Sequence, residues 1–199
     1  MNLDNTAFVF IGYQNDYFAD DGILRSAIEE SAVTNSVLEN TLSLVDGIES
    51  SNAMMIQTPI VFTANYDELV NPVGILKVIQ EVGAFQEGKM GGDIIPQFKN
   101  RTDRIRVISG KRGLNAFSNT ELETAFQNGG IETVVLAGAV TSICIDSTAR
   151  SAHEKGYSVI VLDDCTAGRS NFEQTFYCEN IFPLYATVMN SRQLLDNAT

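Results

Sequence analysis

Residues 134–164, VVLAGAVTSICIDSTARSAHEKGYSVIVLDD, carry the reading that decides the fold. The run opens with an apolar strand (VVLAGA), passes through a tight turn into an amphipathic helix starting at Thr141, and ends in a second apolar strand (YSVIVL). Two buried strands joined by a crossover helix form the unit of an open, parallel α/β sheet. Cys144 lies in the first turn of that helix, just beyond the carboxyl end of the first strand, at the edge where such sheets present their reactive groups. A helix N-terminus offers unpaired N–H groups and partial positive charge, and both favour a thiolate. A small buried hydrophobe filling the strand–helix junction is the alternative, and this segment by itself leaves both readings open.

The same alternation continues outward in both directions. Towards the N-terminus, Ala7–Ile11 (AFVFI) is too short for a helix and fits a buried strand, and Val33, Val37, Leu44, Val45 and Ile48 recur at helical spacing from about Glu30 to Ser51. Pro59–Thr63 (PIVFT) is the next expected strand, with its proline at the tolerated first position. Gly74–Val82 reads as a short helix, EGKMGGD as a loop, and Arg104–Ser109 (RIRVIS) as a strand. Thr120, with Glu121 and Glu123 behind it, opens a helix that Asn128-Gly129-Gly130 ends. Past the central unit come a helix from about Asn171, a strand near Tyr185–Val188 and a terminal helix from Ser191. The pattern predicts one domain over residues 1–199, a doubly wound three-layer α/β/α sandwich on a mostly parallel sheet of about six strands.

Thirteen basic against twenty-five acidic residues leave a net charge of −12 on 199 residues, a surface that repels phosphate backbones and anionic membranes. Three cysteines without CxxC or zinc spacing point to free thiols in a reducing compartment. The N-terminus lacks the pattern of a signal peptide, and no apolar run approaches the roughly 20 residues that span a bilayer, so the expected location is cytoplasmic. The glycines of GKMGG lack the context of a phosphate-binding loop, and no GxGxxG follows Ile11, which argues against a nucleotide-binding fold.

Three strand ends, at Ile11, Ser109 and Ala139, can converge at one sheet edge, followed by GYQNDYF, GKRGLNAF and VTSIC. Lys111 then falls near Cys144, where an ammonium stabilises a thiolate; a lysine taken alone is ordinarily a solvated surface residue. The three segments QNDYF, KRGLNAFSNTELETAF and GAVTSICIDSTARSAHEKGYSVIVLDD occur in the order of a known pattern: D-x-Q-N-D-F, K-x-x-x-S-A-F-x-x-T-x-L and G-x-x-T-x-x-C-V-x-x-T-A. The chain thereby resembles the isochorismatase-like cysteine hydrolases, the superfamily of nicotinamidases, carbamoylsarcosine amidases and related amidohydrolases.

The resemblance implies an Asp–Lys–Cys triad in which the cysteine attacks a carboxamide, an amine leaves, and water hydrolyses the acyl-thioester. Cys144 aligns with the nucleophile and Lys111 with the triad lysine. The oxyanion hole maps to the N–H groups of Val140 and Cys144, and a cis peptide to Ala139–Val140. Thr141 is placed to cap the helix carrying Cys144, and Tyr17, Tyr66 and Phe117 are candidates to line a small pocket, with core packing as the alternative. The triad aspartate falls at Gly12, which can neither accept nor deliver a proton. Asp16 is the nearest carboxylate, but its family counterpart is a structural loop residue. The metal of the nicotinamidase branch needs an aspartate and histidines after the second strand. This chain has TANYDELVNP there, with Asp67, and its one histidine, His153, reads as solvent-facing. No metal and no cofactor is implied. Isochorismate cleavage is disfavoured too, because that branch depends on the acid and commonly lacks the cysteine. Cys165 and Cys178 read as packing residues, and Asp163 and Asp164 as caps of the following turn. The expectation is a hydrolase of a small amide or ureide-like molecule, dimeric or larger; the alternative is a catalytically impaired or ligand-binding relative.

Overall fold

Strand β1 (Thr6–Ile11) is buried at every position, as a central parallel strand covered on both faces must be. The computed structural model describes residues 1–198. Chain order then gives the short helices α1 (Asn15–Phe18) and α2 (Glu29–Thr34), helix α3 (Val37–Ile48), strand β2 (Met54–Thr58), and helices α4 (Gly74–Val82) and α5 (Pro96–Lys99). Strand β3 (Arg106–Val107), α6 (Leu122–Asn128), β4 (Thr133–Ala139), α7 (Asp146–Glu154) and β5 (Ser158–Ala167) follow, and α8 (Asn171–Phe176), β6 (Thr187–Met189) and α9 (Ser191–Asp196) complete the chain. The strands form one all-parallel sheet in the order β3-β2-β1-β4-β5-β6.

Alternation along β1 divides the core. Ala7, Val9 and Ile11 pack with Phe126 of α6 and Ala149 and Ala152 of α7. Phe8 and Phe10 pack with Leu44, Val45 and Ile48 of α3 and Leu194 of α9. Helices thus cover both faces, and the three-layer single α/β domain expected from the sequence is the observed fold.

Several boundaries differ, each for a local reason. The helix expected over 30–51 is two helices, because Ser36 takes a left-handed φ of 49° and Asn40 Nδ2 bonds the freed Asn35 carbonyl at 2.8 Å. The second strand is Met54–Thr58 and shares no residue with the expected Pro59–Thr63; a proline has no N–H to continue the ladder, and the residues beyond it make isolated bridges, Ile60 to Lys111 and Phe62 to Gln86. The expected strand 104–109 shrinks to Arg106–Val107, since the chain leaves the sheet to form the turn carrying Lys111. The helix placed at Thr120 begins at Leu122, and the last strand lies at Thr187–Met189. Among the described residues no helix is long and apolar enough to cross a membrane.

Candidate active site

The carboxyl ends of β1, β2 and β4 meet at one edge of the sheet. Gly138 has φ +124°, and a Cβ there would lie 1.8 Å from the Ile11 carbonyl oxygen, so only glycine lets β1 and β4 approach this closely. Gly12, just past β1, has φ +77°; a Cβ would meet Ala139 O at 2.9 Å and Tyr17 Cδ2 at 3.5 Å. A side chain at position 12 would press on the Ala139 carbonyl oxygen and stand in ordinary contact with the Tyr17 ring.

Beyond β4 the Ala139–Val140 peptide is cis. Residues Thr141–Ile145 wind as one wide π turn before α7 begins at Asp146, a geometry common at functional sites. Cys144 thus sits in this turn and not in the first α-helical turn. The N–H groups of Ile143 and Ile145 both donate to Val140 O, at 3.0 and 3.2 Å. Thr141 does not cap the helix; its Oγ1 donates to Gln174 Oε1 of α8 at 2.5 Å, a buried acceptor that competes for the hydroxyl. Ser142 Oγ donates to Glu173 Oε1 at 2.6 Å. Two neighbouring residues of α8 thereby grip two residues of the turn that carries Cys144.

Lys111 reaches the site from the loop after β3, held by the bridge to Ile60. It is 1% exposed. Its Nζ donates to Gly113 O at 2.6 Å and to Cys144 Sγ at 3.4 Å. Among the described residues no carboxylate pairs with it. Buried charges are ordinarily paired, and the partner within reach here is sulfur.

Tyr17 lines the cavity beside this pair. Burial, then the proximity of Cys144 and Asp16, push its phenol upward, so it stays protonated at neutral pH. Asp16 does not reach the thiol. Its Oδ2 accepts the Phe85 N–H at 2.6 Å; burial pushes its carboxyl up, opposed by hydrogen bonds from the Phe85 and Ile23 backbones. It ties loops together. Tyr66 and Phe117, expected as pocket residues, line no part of this cavity. The Tyr66 hydroxyl donates to Ala84 O at 2.6 Å and its ring packs on Phe62. Phe117 packs among Phe126 and Tyr157.

Cys165 is buried and pushed upward by desolvation and then Asp164. Cys178 is pushed up to about 12 by burial, with Asp163 and Glu179 adding to it. Both behave as packing thiols. His153 is exposed, near the Tyr185 ring, and Asp164 accepts Ser191 N and Oγ at 2.8 and 2.6 Å at the start of α9. Among the described residues Asp67 bonds Thr63, and no three His, Cys, Asp or Glu converge to hold a metal. The residues present do not fit the nicotinamidase-type metal.

Cys144, Lys111, Gly12 and Tyr17 open onto one cavity with a free volume of about 10 Å³, room for a single water. Ile75, Leu76 and Ile79 of α4 cover it, with Leu114 beside them. The sequence gives no sign of this cover or of Thr58, which ends β2 in the same cavity.

Among known proteins, the family model described as Isochorismatase domain matches residues 6–193. The uncharacterized isochorismatase family protein YwoC of Bacillus subtilis (strain 168) is 27% identical over 201 residues, covering 98% of this chain and 96% of its own. A cysteine hydrolase from Pseudomonas syringae pv. phaseolicola 1448A superimposes with a TM-score of 0.85 at 17% identity, over 98% of this chain and 93% of that one. N-carbamoylsarcosine amidase from Thermoplasma acidophilum does so with a TM-score of 0.73 at 21% identity, over 94% and 96%.

Proposed function

The chain belongs to the isochorismatase family, and from that premise we propose that it is a cysteine-dependent hydrolase of a small C–N substrate, amide or ureide-like, working through an acyl-thioester with Cys144 and Lys111 as its dyad. The observation that carries this reading is the 3.4 Å contact between a buried Lys111 Nζ and Cys144 Sγ. The likeness to an N-carbamoylsarcosine amidase and the apolar cavity beside the sulfur support the same chemistry.

In the family's pattern an aspartate moves the protons; position 12 holds glycine. The dyad reading assigns that work to Lys111. The thiolate of Cys144 attacks the carbonyl carbon, and the C=O electron pair moves to oxygen, which the N–H groups of Val140 and Cys144 are proposed to receive. The C–N bond breaks and the departing amine takes a proton from Lys111 Nζ. Water then attacks the thioester and gives its proton back to Nζ. The thioester C–S bond breaks, releasing the acid and restoring thiolate and ammonium. Binding in a site closed to water strengthens each of these charge interactions.

The test is intact mass and product analysis after incubation with a panel of small amides and esters. The expected result is an acyl adduct on the wild type that turns over, is absent in Cys144→Ala, and forms roughly 10²–10⁴-fold more slowly in Lys111→Met. Unchanged hydrolysis in Cys144→Ala would sink the mechanism. A second reading, a relative disarmed at Gly12 that binds ligand without turnover, is favoured if no adduct forms with any member of the panel.

A further inference from the structure

Thr58 is 0% exposed, lines the cavity beside Cys144, and its Oγ1 has no hydrogen-bond partner among the described residues. Native structures leave few buried hydroxyls in this state, and each asks for an explanation. Around it the cavity is walled by aliphatic and aromatic side chains, among them Ile11, Ile60, Leu76, Ile79, Phe85 and Ile143. No arginine, histidine or carboxylate lines it, and the one cation, Lys111, is committed to Gly113 O and Cys144 Sγ.

These facts sort substrates by chemistry. A carboxylate or ammonium on the far end of a substrate would enter an apolar wall with nothing to pair it, which is strongly unfavourable. An aliphatic or aromatic body would gain from the same wall. The carboxamide needs a polar partner for its N–H, and Thr58 Oγ1 is the buried acceptor left open.

Resting on the hydrolase reading above, we propose that Thr58 is a substrate-positioning residue, accepting a hydrogen bond from the amide N–H, and that the substrate class is a compact, uncharged primary carboxamide with an apolar body. A site built to bond a substrate N–H discriminates against analogues that lack it. An ester of the same acyl group has no such N–H, so it reports the dyad without reporting Thr58.

The experiment compares wild type, Thr58→Val and Thr58→Ser on isobutyramide, its methyl ester, and the charged amide succinamate. It is paired with protection of Cys144 from iodoacetamide by each amide. The proposal expects isobutyramide to be hydrolysed at least 10-fold better than succinamate by kcat/KM. Thr58→Val should lose about 3–10-fold on the amide, the scale of one neutral hydrogen bond. It should lose nothing on the ester, and Thr58→Ser should restore the amide rate. If succinamate matches isobutyramide, or Thr58→Val slows ester and amide alike, the proposal is overturned while the hydrolase reading stands. If nothing turns over yet isobutyramide protects Cys144 in wild type and not in Thr58→Val, the positioning role and ligand class hold and the hydrolase reading falls. Absence of both turnover and protection overturns the positioning role as well.

Discussion

Gly12 is the residue at which family pattern and local geometry meet. An aspartate there would need more than a carboxylate pointing at the thiol. It would need the left-handed φ of +77° and a Cβ 2.9 Å from the Ala139 carbonyl oxygen, so this backbone suits a residue without a side chain. Gly12→Asp is therefore expected to destabilise the fold by about 1–3 kcal/mol, the cost of a left-handed non-glycine residue, and to leave hydrolysis no faster. Urea unfolding and amide turnover check both halves. Undiminished stability together with faster turnover would mean that the loop relaxes and that only the acid was missing. The sequence announces the glycine but not its φ, which depends on how closely β4 approaches β1. Cys144 and Lys111 were legible because they sit in spaced motifs. Thr58 was not, because an open hydroxyl acquires meaning only when the surrounding walls are known.

At the scale of elements, α8 acts on the site through the turn it grips. Glu173 accepts Ser142 Oγ at 2.6 Å, Arg169 N at 3.1 Å and Arg169 Nε at 2.7 Å; Gln174 accepts Thr141 Oγ1 and donates to Thr166 Oγ1 and Asp163 O. Burial by itself would raise the Glu173 carboxyl, but the bonds from Ser142 and Arg169 outweigh it and hold the group below its ordinary value. A depressed carboxyl contributes stability that is present above the unfolded glutamate value, about 4.3, and is lost as pH falls through the lower folded value. Glu173→Gln should accordingly cost about 1–3 kcal/mol at pH 7, where charged hydrogen bonds are lost. Its deficit against wild type should shrink as pH drops below about 4. Urea midpoints of the two proteins across that range measure it, and a deficit that stays constant would show that the carboxylate charge contributes nothing. The same variant should lower kcat more than it raises KM, because Glu173 holds the turn that carries the sulfur and does not touch substrate.

The whole molecule places its chemistry by topology. In the order β3-β2-β1-β4-β5-β6 the chain winds outward from β1 in one direction and from β4 in the other, and the crevice at that reversal is where open α/β sheets bind ligands. This much was legible in the sequence, since strands buried on both faces are continuous apolar runs and the crossover helices are amphipathic. The cover of the site was not legible. Helix α4 was read correctly over Gly74–Val82, but which cavity it roofs is set by contacts between residues far apart in the chain. Its Ile75, Leu76 and Ile79 line the cavity beside Cys144, so movement of α4 would open a way in for substrate. The helix is built for that. Only Ile79 is fully buried, Val78 and Val82 face solvent, and both ends are glycines at positive φ, Gly74 and Gly83, with open space around them. Segments with so little buried apolar contact open locally at free energies far below global unfolding. Native-state hydrogen exchange should find α4 amides at least roughly 100-fold less protected than those of β1 and β4. Replacing Gly74 and Gly83 by alanine strains a left-handed backbone at each end and should change substrate entry, read as kcat/KM, before it changes the adduct chemistry at Cys144. If α4 instead exchanges only with the core strands, the roof is a fixed part of the fold and substrate must enter past Leu114.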